Sequence, residues 1–182
     1  MRRGKLTPKL SSNVKINGWV KVYETTLSSP ATSVTISGLA GDTDKEYMLE
    51  CRIVNGYNGA VAYGLRPNND SGTNYGFQYL LGDNTTASAA RNTNNNMIIG
   101  EGTVLDDLSF NDLIFQAKSG YLRTAIDKQM RSISGTTVAR IMMFGHSWNN
   151  TVDEITSLVV LANQVGGIGV GSNIVLWKKV TR

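Results

Sequence analysis

The segment from Tyr47 to Ile53 alternates strictly between apolar and more polar side chains. Tyr47, Leu49, Cys51 and Ile53 would share one face of an extended chain. Successive side chains of a β-strand point to opposite faces, so this period of two predicts a strand with one face in a core. The same alternation recurs in three further stretches, at 34–36, 75–79 and 113–117. The repeated pattern constrains most of the chain to β-sheet.

The polar composition supports the same fold class. Asn, Thr, Ser and Gly make up 68 of the 182 residues. Thr suits strands, and Asn, Gly and Ser suit turns, whereas helix surfaces normally draw on Ala, Glu, Lys and Gln. We predict an all-β protein in which about ten strands form a two-sheet antiparallel β-sandwich of the jelly-roll type. Residues 19–182 would form this single domain.

Several local expectations follow from the pattern. The NGYNG turn at 55–59 predicts that residues 60–65 return as a hairpin partner of the preceding strand. Residues 85–96 show no periodicity and predict a long surface loop. The segment 121–133 fits a helix, because Leu122, Ile126 and Met130 lie four apart, but its partial alternation favours a strand.

The positive charge is concentrated at the ends of the chain. The formal net charge is +4, yet residues 22–177 hold nine cations and fourteen acidic residues, a net charge of −5. We predict that residues 1–18 form an extended basic arm that docks on an acidic protein surface. A nucleic-acid partner is disfavoured, because its cationic footprint would lie across the folded face. The arm residues expected to make these contacts are Arg2, Arg3, Lys5, Lys9 and Lys15.

No catalytic or metal-binding motif stands out. His146 is the only imidazole and no nucleophile motif accompanies it, so a structural role is favoured. Cys51 is the only cysteine and falls on the apolar face of its strand. The glycine-rich run at 166–172 lacks the lysine and the helix start of a phosphate loop, and we interpret it as a connection between strands. We therefore predict no enzyme activity, no cofactor and no metal.

An enzyme nevertheless stays open as an alternative. A β-sandwich hydrolase or lyase needs two carboxyl groups across a cleft. Asp106, Asp107 and Asp153 are the candidates, although each lies beside turn residues, where solvated loop acids are common.

Aromatic residues near polar loops define a possible contact surface for a glycan or a partner protein. Tyr57, Tyr63 and Trp148 are the candidates, because aromatic rings can stack on sugars while neighbouring polar side chains bind hydroxyl groups. The opposing interpretation is that Trp148 caps the end of a sheet.

Two closing segments resemble a known class of proteins. Residues 148–158 (WNNTVDEITSL) and 169–177 (GVGSNIVLW) are similar to the last strands of jelly-roll and carbohydrate-module-like β-sandwiches in tailed-bacteriophage virions. Residues 23–54 also resemble the opening strands of such modules. The resemblance implies a non-enzymatic virion component, and we expect a capsid decoration (cement) protein that binds and stabilises the major capsid shell.

The expected partners are the major capsid protein or other virion proteins, together with further copies of this chain, such as a trimer about a symmetry axis. Localisation would be the virion, assembled in the host cytoplasm, because no apolar stretch follows the charged start as in a secretory signal. No window is apolar enough for a membrane span. A tail-fibre or receptor-binding module that recognises a host-surface glycan is the alternative.

Overall fold

The structure is a computed structural model that describes residues 15–16 and 18–180. These residues form thirteen β-strands and one short helix. The strands are β1 (Lys15–Ile16), β2 (Trp19–Thr26), β3 (Ser33–Ser37), β4 (Glu46–Val54), β5 (Val61–Pro67), β6 (Tyr75–Asp83), β7 (Thr86–Asn94), β8 (Met97–Gly102), β9 (Leu108–Gln116), β10 (Arg123–Ser134), β11 (Thr137–Trp148), β12 (Ser157–Ala162) and β13 (Asn173–Lys179), and the helix is α1 (Gly41–Asp44).

The strands form two antiparallel sheets of unequal size. The large sheet has nine strands in the order β1-β2-β13-β4-β9-β10-β11-β6-β7, and the small sheet has four in the order β3-β12-β5-β8. The prediction of an all-β, jelly-roll-like sandwich is confirmed. Because four strands cannot cover nine, the small sheet lies over only part of the large one, and its edge strand β8 contacts β9, β10, β11 and β6.

The core fills the space between the two sheets. The alternating face predicted for β4 is fully buried, with Tyr47, Leu49, Cys51 and Ile53 pointing inward. Apolar side chains of the small sheet, including Ile36, Leu65 and Val160, belong to the same cluster. Burying this set removes several hundred square ångströms of apolar surface from water, which is the main favourable contribution to folding.

The glycine-rich connection between β12 and β13 packs directly on the backbone that follows β4. The amide of Gly169 donates to the carbonyl of Val54, and a Cβ at Gly56 would lie 2.3 Å from the carbonyl oxygen of Gly166. Only glycine permits so close an approach of two backbones. The connection is therefore a packing element, in keeping with its interpretation as a link between strands.

Of three local expectations from the sequence, the structure confirms one and contradicts two. The strand favoured over a helix at 121–133 is confirmed as β10. The loop expected at 85–96 is wrong, since Thr86–Asn94 form β7 and pair with β6 in an unbroken register. The hairpin expected across the 55–59 turn is also wrong. β5 pairs with β12 and β8, so the chain crosses to the other sheet instead of returning beside β4.

The predicted basic arm lies largely outside the described residues. Arg2, Arg3, Lys5 and Lys9 all fall there, so their expected docking role stays a prediction. Lys15 and Ile16 form β1, which pairs with Val20 and Trp19 of β2. Lys15 and Ile16, which belong to the predicted arm, thus form an edge strand of the large sheet.

Candidate functional site

On strand β10 the polar side chains are buried and the apolar ones are exposed, the reverse of the usual arrangement. The interior face of β10 presents Arg123, Asp127, Gln129 and Arg131, all buried. Its outer face presents the apolar side chains of Ile126 and Met130, with Lys128 between them. A sheet that packs on a core normally buries its apolar face and exposes its polar one. Apolar side chains therefore lie on the outer surface of this part of the sheet.

The outer faces of β10, β11, β6 and β7 form a shallow depression that we call the outer trough. Its contiguous hollows hold about 450, 350 and 640 Å³. Glycine at three outward positions removes side chains from the floor, at Gly76, Gly82 and Gly145. A Cβ at Gly145 would meet nothing within 4 Å, so the floor is open there.

The apolar part of the trough lies along the middle of these strands. Antiparallel pairing places Met143 beside Leu80 on one side and Lys128 on the other, and Met130 beside Ile141. The exposed fractions of its main apolar side chains are 62% for Leu80, 58% for Ile141, 48% for Ile126 and 46% for Met143. Exposed apolar residues are normal when scattered, but a contiguous group on adjacent strands is typical of an interaction site.

The polar part of the trough lies at the end of β6 that begins with Tyr75. Gln78, Arg91, Thr93 and Ser147 line this end around the glycine floor. The register brings Gln78 beside Arg91 and Gly145, and Gly76 beside Thr93 and Ser147. The arrangement offers hydrogen-bond donors and acceptors on an open surface, next to the apolar part.

Behind the trough, three buried polar side chains face the interior without partners. Both carboxylate oxygens of Asp127, both amide atoms of Gln129 and both ring nitrogens of His146 lack hydrogen-bond partners among the described residues. Burial, with the charge of Asp112 in second place, raises the pKa of Asp127 well above its ordinary value. Burial lowers the pKa of His146 from 6.5 to about 4, against the backbone of Ile98, which raises it. His146 is therefore neutral at pH 7, and burial disfavours the charged form of Asp127.

An ion-pair network closes one end of this interior. Arg131 pairs with Asp107 and Glu101, and Arg140 pairs with Glu101 and Asp83. The network joins β8, β10, β11 and β6 to the turn that precedes β9. Asp107 also accepts hydrogen bonds from the backbone and hydroxyl of Thr103, and these contacts outweigh burial and hold its pKa below the ordinary value. Its carboxylate is a structural anchor of the sandwich.

The aromatic residues chosen from the sequence do not come together. Tyr63 and Trp148 are 1% and 0% exposed, so the idea that they form a surface platform is wrong. Trp148 stacks on Tyr75, lies against the guanidinium of Arg123 and donates its indole N–H to Asp70, 2.8 Å away. A ring this large gains more from burial than from contact with a soluble ligand.

Tyr57 is the one member of the predicted contact set that is accessible, with 40% of its surface exposed. Its backbone N–H is bound by the side chain of Asn55, which is itself buried and also bonds the carbonyls of Gly59 and Val104. The turn is therefore well held, and Tyr57 lies on a rigid loop apart from the residues that line the trough.

The remaining candidates have structural surroundings. Cys51 is buried, and burial raises its pKa, which removes the thiolate needed for reactivity. Among the carboxylates of the enzyme alternative, Asp107 anchors the ion-pair network and Asp153 bonds Asn150 in an exposed turn. In the described part of the chain, no group of three or more His, Cys, Asp or Glu side chains is arranged to hold a metal ion. No helix of the described residues is long and apolar enough to cross a membrane.

The sequence analysis did not predict the outer trough, although the sequence contains a signal for it. Ile141, Met142, Met143 and Phe144 are consecutive apolar residues, and such a run commonly indicates a strand that is buried on both faces. In the structure, Phe144 points inward and Ile141 and Met143 point outward. Where one side of a sheet is uncovered and the neighbouring strands are known, apolar residues on both faces of a strand therefore indicate an apolar outer surface.

Comparisons with known proteins identify no family for this chain. No family model matches the sequence, and the search of curated proteins finds no match. The solved structures similar to this chain include the galectin LEC-6 of Caenorhabditis elegans, at 14% identity over 84% of this chain and 94% of that one, with a TM-score of 0.34. A human SPRY domain is similar at 12% identity over 93% and 96% of the two chains, with a TM-score of 0.28. The likeness concerns the β-sandwich alone.

Proposed function

We propose that this chain is a non-enzymatic structural component of a larger assembly and that it docks through the outer trough. The observation that carries this proposal is the group of apolar side chains on the outer face, Leu80, Ile126, Ile141 and Met143, each about half exposed or more. Leaving them in water costs roughly 25 cal/mol per Å² of apolar area relative to burial. A protein surface laid on the trough would recover that free energy.

The assembly that we propose is a bacteriophage virion, with this chain as a capsid decoration protein on the major capsid shell. The support is the resemblance of residues 148–158 and 169–177 to virion β-sandwiches. The two segments contribute Trp148, β12 and β13, which are structural elements of the sandwich. Cations at Arg2, Arg3, Lys5 and Lys9 would add contacts to an acidic capsid surface, and several copies would bind together around a symmetry axis.

The test of docking uses one substitution in the trough and a matched control. Met143→Glu places a charge at the centre of the apolar part, whereas Val152→Glu places the same charge on a loop residue that is 81% exposed. The measurement is occupancy on purified capsids that lack the chain. We expect Met143→Glu to reduce occupancy at least tenfold and Val152→Glu to leave it unchanged, because removing the new carboxylate and the neighbouring Lys128 from water at an interface costs more than their attraction returns. Equal occupancy of both variants would reject the proposal.

A second candidate function is glycan recognition by a receptor-binding module, favoured by the polar end of the trough. Gln78, Arg91, Thr93 and Ser147 surround an open hollow of about 450 Å³, which is large enough for one or two sugar rings. Glycan-array binding that disappears in Gln78→Ala and survives in Met143→Glu would support this function over docking. Binding that depends on Tyr57→Ala instead would move the contact to the 55–59 turn.

A further inference from the structure

Strand β7 is a long, unprotected edge of the large sheet. It has nine residues and pairs only with β6, through a register without a bulge. Every residue from Thr86 to Arg91 is exposed, and Arg91 is the only charged residue of the strand. Proteins usually protect edge strands by shortness, proline, bulges or inward-pointing charges, because free backbone groups pair with other chains. β7 has none of these protections.

Local hydrogen bonds reveal which backbone amides face away from β6. The N–H of Thr93 donates to the side chain of Asn92, and the N–H of Asn95 donates to the side chain of Asn94, both at 2.8 Å. These amides point to the open side of the edge. Alternate residues of a strand direct their amides to the same side, so the N–H groups of Ala87, Ala89 and Arg91 also point outward.

The residues around these amides leave room for another strand. The side chains of Ala87 and Ala89 are small, and the register places them beside Gly82 and Leu80 in the trough. A strand added along β7 would therefore continue the floor of the trough, and its outward side chains would lie next to Ala87, Ala89 and Arg91. We propose that β7 accepts an extended segment of the partner protein as a tenth strand, and that this segment alternates apolar with acidic side chains.

The charge of this part of the sheet decides the chemistry of the segment. Among the described residues, the outward positions of β10, β11, β6 and β7 carry two cations, Arg91 and Lys128, and no acid. Arg91 makes no ion pair with any described residue, and Lys128 reaches Asp112 of β9 only at 3.7 Å. An acidic side chain opposite Arg91 would complete the pair.

The same charges disfavour two other occupants. A second copy of β7 would bring another arginine and no acid to the edge. The chain's own residues 1–14 hold four cations and no acid, so they would repel Arg91. The inference rests on the proposed docking function and adds the binding mode, strand addition, in which backbone hydrogen bonds provide affinity and alternate side chains provide specificity.

The experiment uses the full chain and two synthetic nine-residue peptides, one alternating valine with glutamate and one alternating valine with lysine. Binding is measured by titration, and amide hydrogen exchange is followed at Ala87, Ala89 and Arg91. We expect the glutamate peptide to bind and to slow exchange at these three amides at least tenfold. Arg91→Glu should reverse the preference between the peptides.

Two substitutions at one position separate the backbone from the side chain. Ala89→Pro removes an N–H that points to the open side of an edge strand, where proline is tolerated. We expect this variant not to bind the peptide, so the peptide should no longer slow amide exchange at Ala87 and Arg91. Ala89→Ser keeps the N–H and should bind as the unaltered chain does. The melting temperature of both variants shows whether the fold is intact, and Arg91→Glu provides a second test that does not alter the backbone.

Each result has one meaning. Peptide binding that persists in Ala89→Pro, or no protection of the β7 amides by either peptide, would overturn the inference. A concentration-dependent dimer that Ala89→Pro abolishes would also overturn it, because a second copy would then be the occupant. Capsid occupancy lost in Met143→Glu but kept in Ala89→Pro would reject strand addition and leave the docking function standing, whereas occupancy kept in both would reject both proposals.

Discussion

The interior faces of the two halves of the large sheet differ in how many polar side chains they bury. On β4 and β9 the interior face is largely apolar, with Leu49 and Leu113 fully buried. On β10 the interior face carries Arg131, Asp127 and Gln129, and on β11 it carries His146 between the buried rings of Phe144 and Trp148. The first half lies beneath the small sheet, and the second extends beyond its edge strand β8. The difference teaches that the second half buries more polar groups and leaves a contiguous set of apolar side chains in contact with water.

The second half also costs stability in the isolated chain. Asp127 and Gln129 are buried without partners, and each such group is expensive because it loses its hydrogen bonds to water. Regions that violate the usual rules of burial are commonly those that function constrains. Substitutions in each half would test this difference.

The largest effect is expected at the ion-pair network. Arg131→Ala leaves the buried carboxylate of Asp107 without its charged partner, and it leaves Glu101 on β8 paired with Arg140 alone. We expect the free energy of unfolding to fall by about 3–5 kcal/mol. Chemical denaturation would measure this change. A loss below about 1 kcal/mol would show that the network contributes little and that the second half is held mainly by its aromatic contacts.

A matched pair of leucines compares the two halves directly. Leu113→Ala empties part of the core, since this side chain is 0% exposed, whereas Leu80→Ala shortens a side chain of the trough that is 62% exposed. We expect a loss of about 2–5 kcal/mol for Leu113→Ala and less than about 0.5 kcal/mol for Leu80→Ala. Similar losses by denaturation would mean that the trough contributes to the core and is not free for a partner.

The buried imidazole predicts a pH dependence of stability. His146 has a native pKa of about 4 against 6.5 when unfolded, so only the unfolded chain takes up this proton between those values. Its contribution therefore falls as the pH drops from 6.5 to 4, by about 1 kcal/mol per pH unit. His146→Phe, which can stack on Phe144 in the same way, should remove this slope in denaturation curves. An unchanged slope would place the titration elsewhere.

Asp127 predicts the opposite sign. Its pKa is raised in the native state by burial, so folding carries a free-energy cost at every pH at which the unfolded chain keeps this carboxyl ionised. Asp127→Asn should therefore stabilise the protein at pH 7, and the gain should shrink as the pH approaches the unfolded pKa near 3.8. Melting temperatures at pH 7 and pH 4 would measure it. A destabilised variant at pH 7 would show that the charged form is the native one.

The smallest effect is expected on the rim of the trough. Lys128 lies 3.7 Å from Asp112, and its side chain is mostly exposed, so water screens the pair. Lys128→Ala should change the free energy of unfolding by less than about 0.5 kcal/mol. A larger loss by denaturation would indicate that the outer surface stabilises the isolated fold.

Prediction from sequence succeeded where one face of a strand alternates in polarity. The interior face of β4 and the strand character of β10 are of this kind, because a period of two has a single meaning when one side is buried. It failed for β7, since Thr86–Asn94 are exposed on both faces and no burial difference exists to create a period. It also failed for the partner of β4, because a turn signal does not show which sheet receives the next strand.

The candidate site was less predictable than the fold. Tyr57, Tyr63 and Trp148 were chosen as aromatics near polar loops, yet only Tyr57 is exposed. The residues of the trough come from four strands that are distant in sequence, and none of them has a motif of its own. A surface of this kind depends on which strands become neighbours in the sheet, and the sequence of a single strand does not contain that information.

By itself, the sequence determined the class of structure and the interior of β4, since alternation and turn-forming residues act over a few neighbouring positions. It also located the positive charge at the ends of the chain. Only the tertiary structure decided that four strands cover just part of nine, that β10 carries polar groups inside and apolar groups outside, and that β7 is a free edge. The physical reason is that exposure depends on what another part of the chain covers, and coverage arises only when the two sheets pack.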